Sequence, residues 1–129
     1  MNRPYKPDGY PSVSAYVMVD GAQRVIDFLK KTFNATELRR FDGPEGKISH
    51  VEVRIEDSVV MLSDGGGSFP AFPAWLHVYV PDVDATYQRA LAAGATSMSE
   101  PANQSYGDRT GAVSDAFGNQ WYIATPVRG

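Results

Sequence analysis

Two histidines, His50 and His77, and no cysteine set the limits of the chemistry these 129 residues can carry. Without a thiol there is no disulfide, thiolate zinc site, iron–sulfur cluster or cysteine nucleophile. His50 stands two residues before Glu52 in the β-forming run Ile48 to Ile55, so both project from one face of a strand. His77 stands between Trp75 and Tyr79 with the same alternation. His50, Glu52 and His77 are the His and carboxylate residues whose alternation aims them at a common cleft, and a divalent metal needs three or more such ligands. The two histidines lie in different halves of the chain, however, and a lone histidine more often serves as a hydrogen-bonding group. A polar contact set with no metal and no cofactor is therefore expected.

Other candidate groups are weaker. Ser14, Ser58 and Ser63 lack a nucleophile-elbow setting, so no catalytic residue is assigned. In the run Ser105 to Arg109, Asp108 and Arg109 either pair with one another in a turn or reach a ligand. The triple glycine Gly65-Gly66-Gly67 has neither the Lys-Ser or Lys-Thr nor the following helix of a phosphate loop, and is read as a connector carrying Phe69 and Phe72.

The elements that must position these groups come in two similar series. Val13 to Val19 is a strand, and Gly21 to Phe33 has helical spacing through Ala22, Val25, Ile26, Leu29 and Phe33. Asn34 follows as a left-handed cap, and strands are predicted at Glu37 to Phe41, Ile48 to Ile55 and Ser58 to Ser63. The second series has a strand at Trp75 to Val80, a helix at Val83 to Ala93 capped by Gly94, and strands at Thr96 to Ser99, Gly111 to Ser114 and Gln120 to Thr125. FNATEL around Asn34 matches AGATSM around Gly94 at an offset of 60 residues. The organisation is one domain over 1–129: an extended arm (1–12), a βαβββ module (13–64), a Gly/Pro linker (65–73) and a second βαβββ module (74–129).

Alternation along the strands then sorts their faces. Leu76, Val78 and Val80 suit packing under a helix, whereas Trp75, His77 and Tyr79 form an amphipathic row. Trp121 and Ile123 oppose Gln120, Tyr122 and Ala124; Val51, Val53 and Ile55 oppose His50, Glu52 and Arg54; Ala15, Val17 and Val19 oppose Ser14, Tyr16 and Met18. Exposing Trp75, Tyr79, Tyr122 and Tyr16 together would be unfavourable, so the helix-free face is expected to line a cleft that stacks a planar ligand.

The composition bounds the partners. A hydrophobic content of 43% is enough for one ordinary core, and a net charge of −3 offers no basic field for nucleic acid. The start, MNRPYKPDGYPS, is polar where a secretory signal needs an apolar stretch, and no later segment approaches a membrane-spanning length. A cytoplasmic location with no membrane partner is the expectation.

The runs YPSVSAYVMVDGAQRVIDFLKKTFNATE, GKISHVEVRIEDSVVMLSD, LHVYVPDVDATYQRALAAGAT and YGDRTGAVSDAFGNQWYIATP, in that order, resemble the PhnB-like branch of the vicinal-oxygen-chelate superfamily of glyoxalases, bleomycin-resistance proteins and extradiol dioxygenases. The resemblance implies an α+β fold in which paired βαβββ modules form a curved eight-stranded mixed sheet around a cleft, usually in a homodimer. It also implies metal-ligand positions on the first and last strand of each module. Here they fall on Ser14, on Trp75, on Tyr122 and near Val60 or Met61, none of which is a usual ligand. The function expected is a binding protein that sequesters a small planar or aromatic molecule such as an antibiotic. Tyr16, Trp75, Tyr79 and Tyr122 would stack on it, and His50, Glu52, His77, Arg109 and Gln120 would orient it. The alternative is an enzyme of the superfamily, a lyase, isomerase or dioxygenase with a relocated metal site, or a metal-free catalyst with His50 or His77 as base.

Overall fold

The computed structural model describes residues 5–127; residues 1–4 of the expected arm and 128–129 of the expected second module lie outside the described residues. The first module runs β1 (Ala15–Val19), α1 (Ala22–Phe33), β2 (Thr36–Asp42), a short helical turn (Pro44–Gly46), β3 (Ile48–Ile55) and β4 (Ser58–Asp64). The second runs β5 (Trp75–Tyr79), α2 (Val83–Ala92), β6 (Thr96–Asn103), β7 (Asp108–Ser114) and β8 (Gln120–Pro126). The paired βαβββ plan is thus realised.

Each module folds around its helix. In α1 the residues Val25, Ile26 and Leu29 are buried, as the helical spacing requires, and Asn34 closes the helix at φ +55°. The start of α1 has no side-chain cap of its own; Asp64, at the end of β4, supplies it. One Asp64 oxygen accepts from Gly21 N (2.9 Å) and Ala22 N (2.8 Å), and the other accepts from Ile48 N (2.8 Å), binding helix, β3 and β4 at one corner. Burial pushes this carboxyl up, but the three backbone donors and the Lys47 charge outweigh it, leaving its pKa below the usual value. In α2, Asp82 caps through Ala85 N (3.1 Å) and Val83, Thr86, Tyr87 and Ala90 face inward.

The strands form two four-stranded mixed sheets, ordered β1-β4-β3-β2 and β5-β8-β7-β6. β1 pairs with β4 in parallel and β5 with β8 in parallel, while the remaining pairs are antiparallel. The eight strands do not join into one sheet within the chain: β1 and β5 are both edges, and linker residue Phe72 donates its N–H to Met18 O of β1 (3.1 Å). β6 and β7 extend beyond the sequence expectation because Asp108, Arg109 and Thr110 continue the ladder opposite Pro126, Thr125 and Ala124. Pro101 is accommodated because β6 is an edge strand with a register shift at that point.

A single core spans both modules. Trp121 of β8 is 0% exposed and its ring lies 6.1 Å from that of Phe28 and 5.6 Å from that of Phe33, both on α1. Arg89 of α2 donates to Thr32 O of α1 (3.1 Å), fixing one helix on the other. The helices therefore cover one face of each sheet, and the opposite faces carry no helix among the described residues. No helix among the described residues is long and apolar enough to cross a membrane.

Candidate functional site

The uncovered face of the first sheet carries a connected polar set. Alternation and register place Tyr16 on β1, Arg39 and Phe41 on β2, and His50 and Glu52 on β3. Glu52 is 1% exposed and is held from three sides. Arg39 donates through Nε and Nη2 (3.1 Å each), the Tyr10 hydroxyl donates at 2.5 Å, and His50 Nε2 lies 2.9 Å away. The Arg39 guanidinium, with help from Tyr10 and His50, overcomes burial and holds the Glu52 pKa down at about 2. The carboxylate in turn raises the Tyr10 phenol above its ordinary value. From His50 the chain continues outward: Nδ1 lies 2.8 Å from the hydroxyl of Tyr16, which is 49% exposed.

Two members of this set escaped the sequence reading. Tyr10 belongs to the arm, which lies across the sheet, where Arg54 donates to Gly9 O (2.8 Å) and its guanidinium sits 5.9 Å from the Tyr10 ring centre. Arg39 had one usable signal: a carboxylate on an interior strand needs a cation nearby, and β2 offers Arg39 and Arg40. Alternation separates those two, with Arg39 toward Glu52 and Arg40 toward Gln23 on α1 (2.7 Å).

The uncovered face of the second sheet is aromatic. Trp75, His77 and Tyr79 of β5 stand opposite Gln120, Tyr122 and Ala124 of β8. Trp75 is 73% exposed, with its ring 6.2 Å from that of Tyr122, and His77 contacts Tyr79 edge-on at 4.7 Å. The Tyr122 hydroxyl donates to Gln120 Oε1 (2.5 Å), and the Tyr79 hydroxyl donates to Asp108 (3.1 Å).

Arg109 is on the other side of this sheet. Neighbouring strand residues project oppositely, so Asp108 meets Tyr79 while Arg109 reaches Asp84 of α2 through bonds of 2.8 and 3.0 Å. The expected Asp108–Arg109 pair is therefore replaced by Arg109–Asp84, which lowers the Asp84 pKa through the guanidinium hydrogen bond and raises that of Arg109.

The ladder also settles the metal-ligand register that the resemblance implied. His77 pairs with Tyr122 as Tyr16 pairs with Met61, so Met61 rather than Val60 is the counterpart of Tyr122. Ser14, Met61, Trp75 and Tyr122 supply two hydroxyls, a thioether and an indole, a donor set that does not fit a divalent metal. Among the described residues no group of three or more His, Asp or Glu is placed to hold an ion. His50 and Glu52 bind one another, and His77 rests on Tyr79.

Two cavities adjoin these faces. One, of about 430 Å³, runs between the start of β1 and β5, with Ser14, Val60, Leu76, His77, Tyr79 and Trp121 in its walls. The other, of about 460 Å³, lies under the linker, lined by Tyr16, Met18, Ser49, Ser63, Asp64, Gly66 and Phe69.

The sequence profile of the glyoxalase/bleomycin resistance protein/dioxygenase superfamily matches residues 12–123, most of the two-module architecture. The chain belongs to this superfamily. Within it, an uncharacterised protein of Mycobacterium bovis is 43% identical over an alignment covering 92% of this chain and 85% of that protein. Among solved structures of the superfamily's fold, a PhnB protein from Bacillus cereus superposes with a TM-score of 0.71 at 16% identity, over 89% of this chain and 99% of that one. TnmS3, an antibiotic binding protein from Streptomyces sp. CB03234, superposes with a TM-score of 0.69 at 24% identity, over 91% and 99%. These two likenesses are of fold.

Proposed function

We propose that this member of the superfamily is a small-molecule-binding protein that sequesters a planar or aromatic compound, such as an antibiotic, without a metal. The observation that carries this reading is the helix-free aromatic face of the second sheet. Trp75, 73% exposed, stands there beside Tyr122, with His77 and Tyr79 next along the strand and the rings of each pair set edge-to-face, an aromatic surface that water solvates poorly and against which a planar ring system can pack. The fold shared with an antibiotic binding protein is consistent with it. A second copy of the chain completes the cleft in this reading, because among the described residues no strand lies beside the outer edges of β1 and β5, β1 meeting only the N–H of linker residue Phe72, and open edges favour strand addition.

The test exploits the two tryptophans. Trp75 is open and Trp121 is fully buried, so a bound planar aromatic compound should quench the red-shifted Trp75 emission and leave that of Trp121. Trp75→Ala should abolish the quenching with the fold intact. Saturable binding that is unaffected by Trp75→Ala would remove this face from the site. Sedimentation at increasing concentration tests the second copy, and a strictly monomeric protein would exclude it.

One observation favours a second reading. An ionised Glu52 fixes His50, and Tyr16 follows it toward the surface, an arrangement suited to metal-free proton transfer. Product formation from a saturating ligand, lost in His50→Gln, would establish an enzyme.

A further inference from the structure

We propose that the cavity between the linker and β1 selects ligands that donate hydrogen bonds, in particular planar aromatic compounds bearing hydroxyl groups. The proposal rests on the small-molecule-binding reading and adds the chemical class of ligand.

Its basis is the direction of every side-chain hydroxyl in the cavity wall. Ser49 donates to Phe41 O (2.9 Å) and Ser63 donates to Asp64 O (3.2 Å), so both protons are turned back into the protein. Tyr16 is directed the same way by the groups behind it. Glu52 is ionised and only accepts, so the proton on His50 Nε2 points to Glu52. In a neutral imidazole that leaves Nδ1 as the acceptor, and the Tyr16 hydroxyl donates to it. Asp64, the remaining polar residue in the wall, brings no proton either, since it is a carboxylate whose two oxygens are taken up by Gly21 N, Ala22 N and Ile48 N. The hydroxyl oxygens of Tyr16, Ser49 and Ser63 thus offer lone pairs and no protons to the cavity. Phe69, Met18 and the Tyr16 ring supply the apolar walls that a flat ring would meet. A ligand hydroxyl here finds acceptors, whereas an ether or carboxylate of the same shape brings lone pairs against lone pairs. Sites built for a polar group reject isosteres that lack its proton more strongly than apolar pockets reject a change of size.

Glu52 acts in this scheme as a positioning residue, through His50. Replacing it by glutamine would let an amide N–H donate to Nε2, which moves the imidazole proton to Nδ1, makes Tyr16 the acceptor of that bond, and turns the Tyr16 proton into the cavity.

The experiment compares dihydroxynaphthalene with its dimethyl ether, substituted at the same positions, by titration calorimetry. Wild-type protein should bind the diol at least about tenfold more tightly than the ether. Tyr16→Phe should bring the ratio toward one, and Glu52→Gln should shift it toward the ether while histidine nitrogen NMR shows proton transfer to Nδ1 of His50. Should Glu52→Gln fold poorly, His50→Phe frees the same Tyr16 proton and should move the ratio the same way. Equal or tighter binding of the ether by wild type, or no binding of the diol, overturns the proposal. Diol preference that persists in Trp75→Ala would locate failure in the aromatic face. Quenching at Trp75 without diol preference would locate it in this cavity.

Discussion

Arg39 closes on Glu52 through two hydrogen bonds of 3.1 Å, with the guanidinium 60% exposed and the carboxylate 1% exposed. The pair is therefore reached by protons from solution but shielded on its acidic side. Because Arg39 and the neighbouring donors lower the folded pKa of Glu52 to about 2, against an ordinary value of 4.5, the folded chain binds fewer protons than the unfolded chain between those values. Stability from this group is present in full above the ordinary carboxylate range and is lost as pH falls toward 2. Urea midpoints measured at descending pH should fall more steeply for wild type than for Glu52→Gln, with Asp64 and Asp84 contributing equally to both. Parallel slopes would show that Glu52 is not held as described.

Trp121 and Trp75 are the same residue type in opposite environments. Trp121→Ala removes a fully buried ring from the contact with Phe28 and Phe33 and should destabilise by about 3–5 kcal/mol. Trp75→Ala removes an exposed ring and should change stability by about 0.5 kcal/mol or less. Chemical denaturation of the two variants checks the contrast, and a large loss from Trp75→Ala would make that ring structural.

Alternation alone made much of this arrangement legible. Trp75, His77 and Tyr79 against Leu76 and Val78, and His50 and Glu52 against Val51 and Val53, could be read because a strand has a period of two and local sequence reveals it. Tyr10 could not be read, because its place over Glu52 depends on an arm crossing the sheet 42 positions away in sequence. The place of Arg109 is not legible for a related reason: β7 begins at Asp108, where the sequence suggests a turn, so alternation separates Asp108 from Arg109. The separation of the two sheets is not legible locally either, since whether β1 and β5 meet depends on contacts between residues far apart in sequence.

Asp115 should be a stability residue. It is buried and accepts from the backbone N–H groups of Phe117, Gly118 and Asn119, from Asn119 Nδ2, and from Trp121 Nε1 (2.9 Å). Asn119 in turn accepts from Ala74 N (2.8 Å), tying the linker's end to the start of β8. Asp115→Ala strands several buried donors and should destabilise by about 3 kcal/mol or more. Thermal unfolding checks this, and a loss confined to ligand affinity would instead place Asp115 in the site.

Arg109 should matter little for ligand binding. Its guanidinium is engaged by Asp84 and also donates to Asn103 (3.2 Å), on the face opposite Trp75 and Tyr122. Arg109→Gln should therefore leave the affinity for a planar ligand within about twofold of wild type, since the two faces share no direct contact through this side chain. The neighbouring change, Asp108→Asn, should act differently because Asp108 accepts from Tyr79 on the aromatic face. Removing its charge loosens the Tyr79 hydroxyl and should weaken binding several-fold. Titrating both variants with the same compound distinguishes the faces, and a larger loss from Arg109→Gln than from Asp108→Asn would put the ligand on the helix side of the sheet.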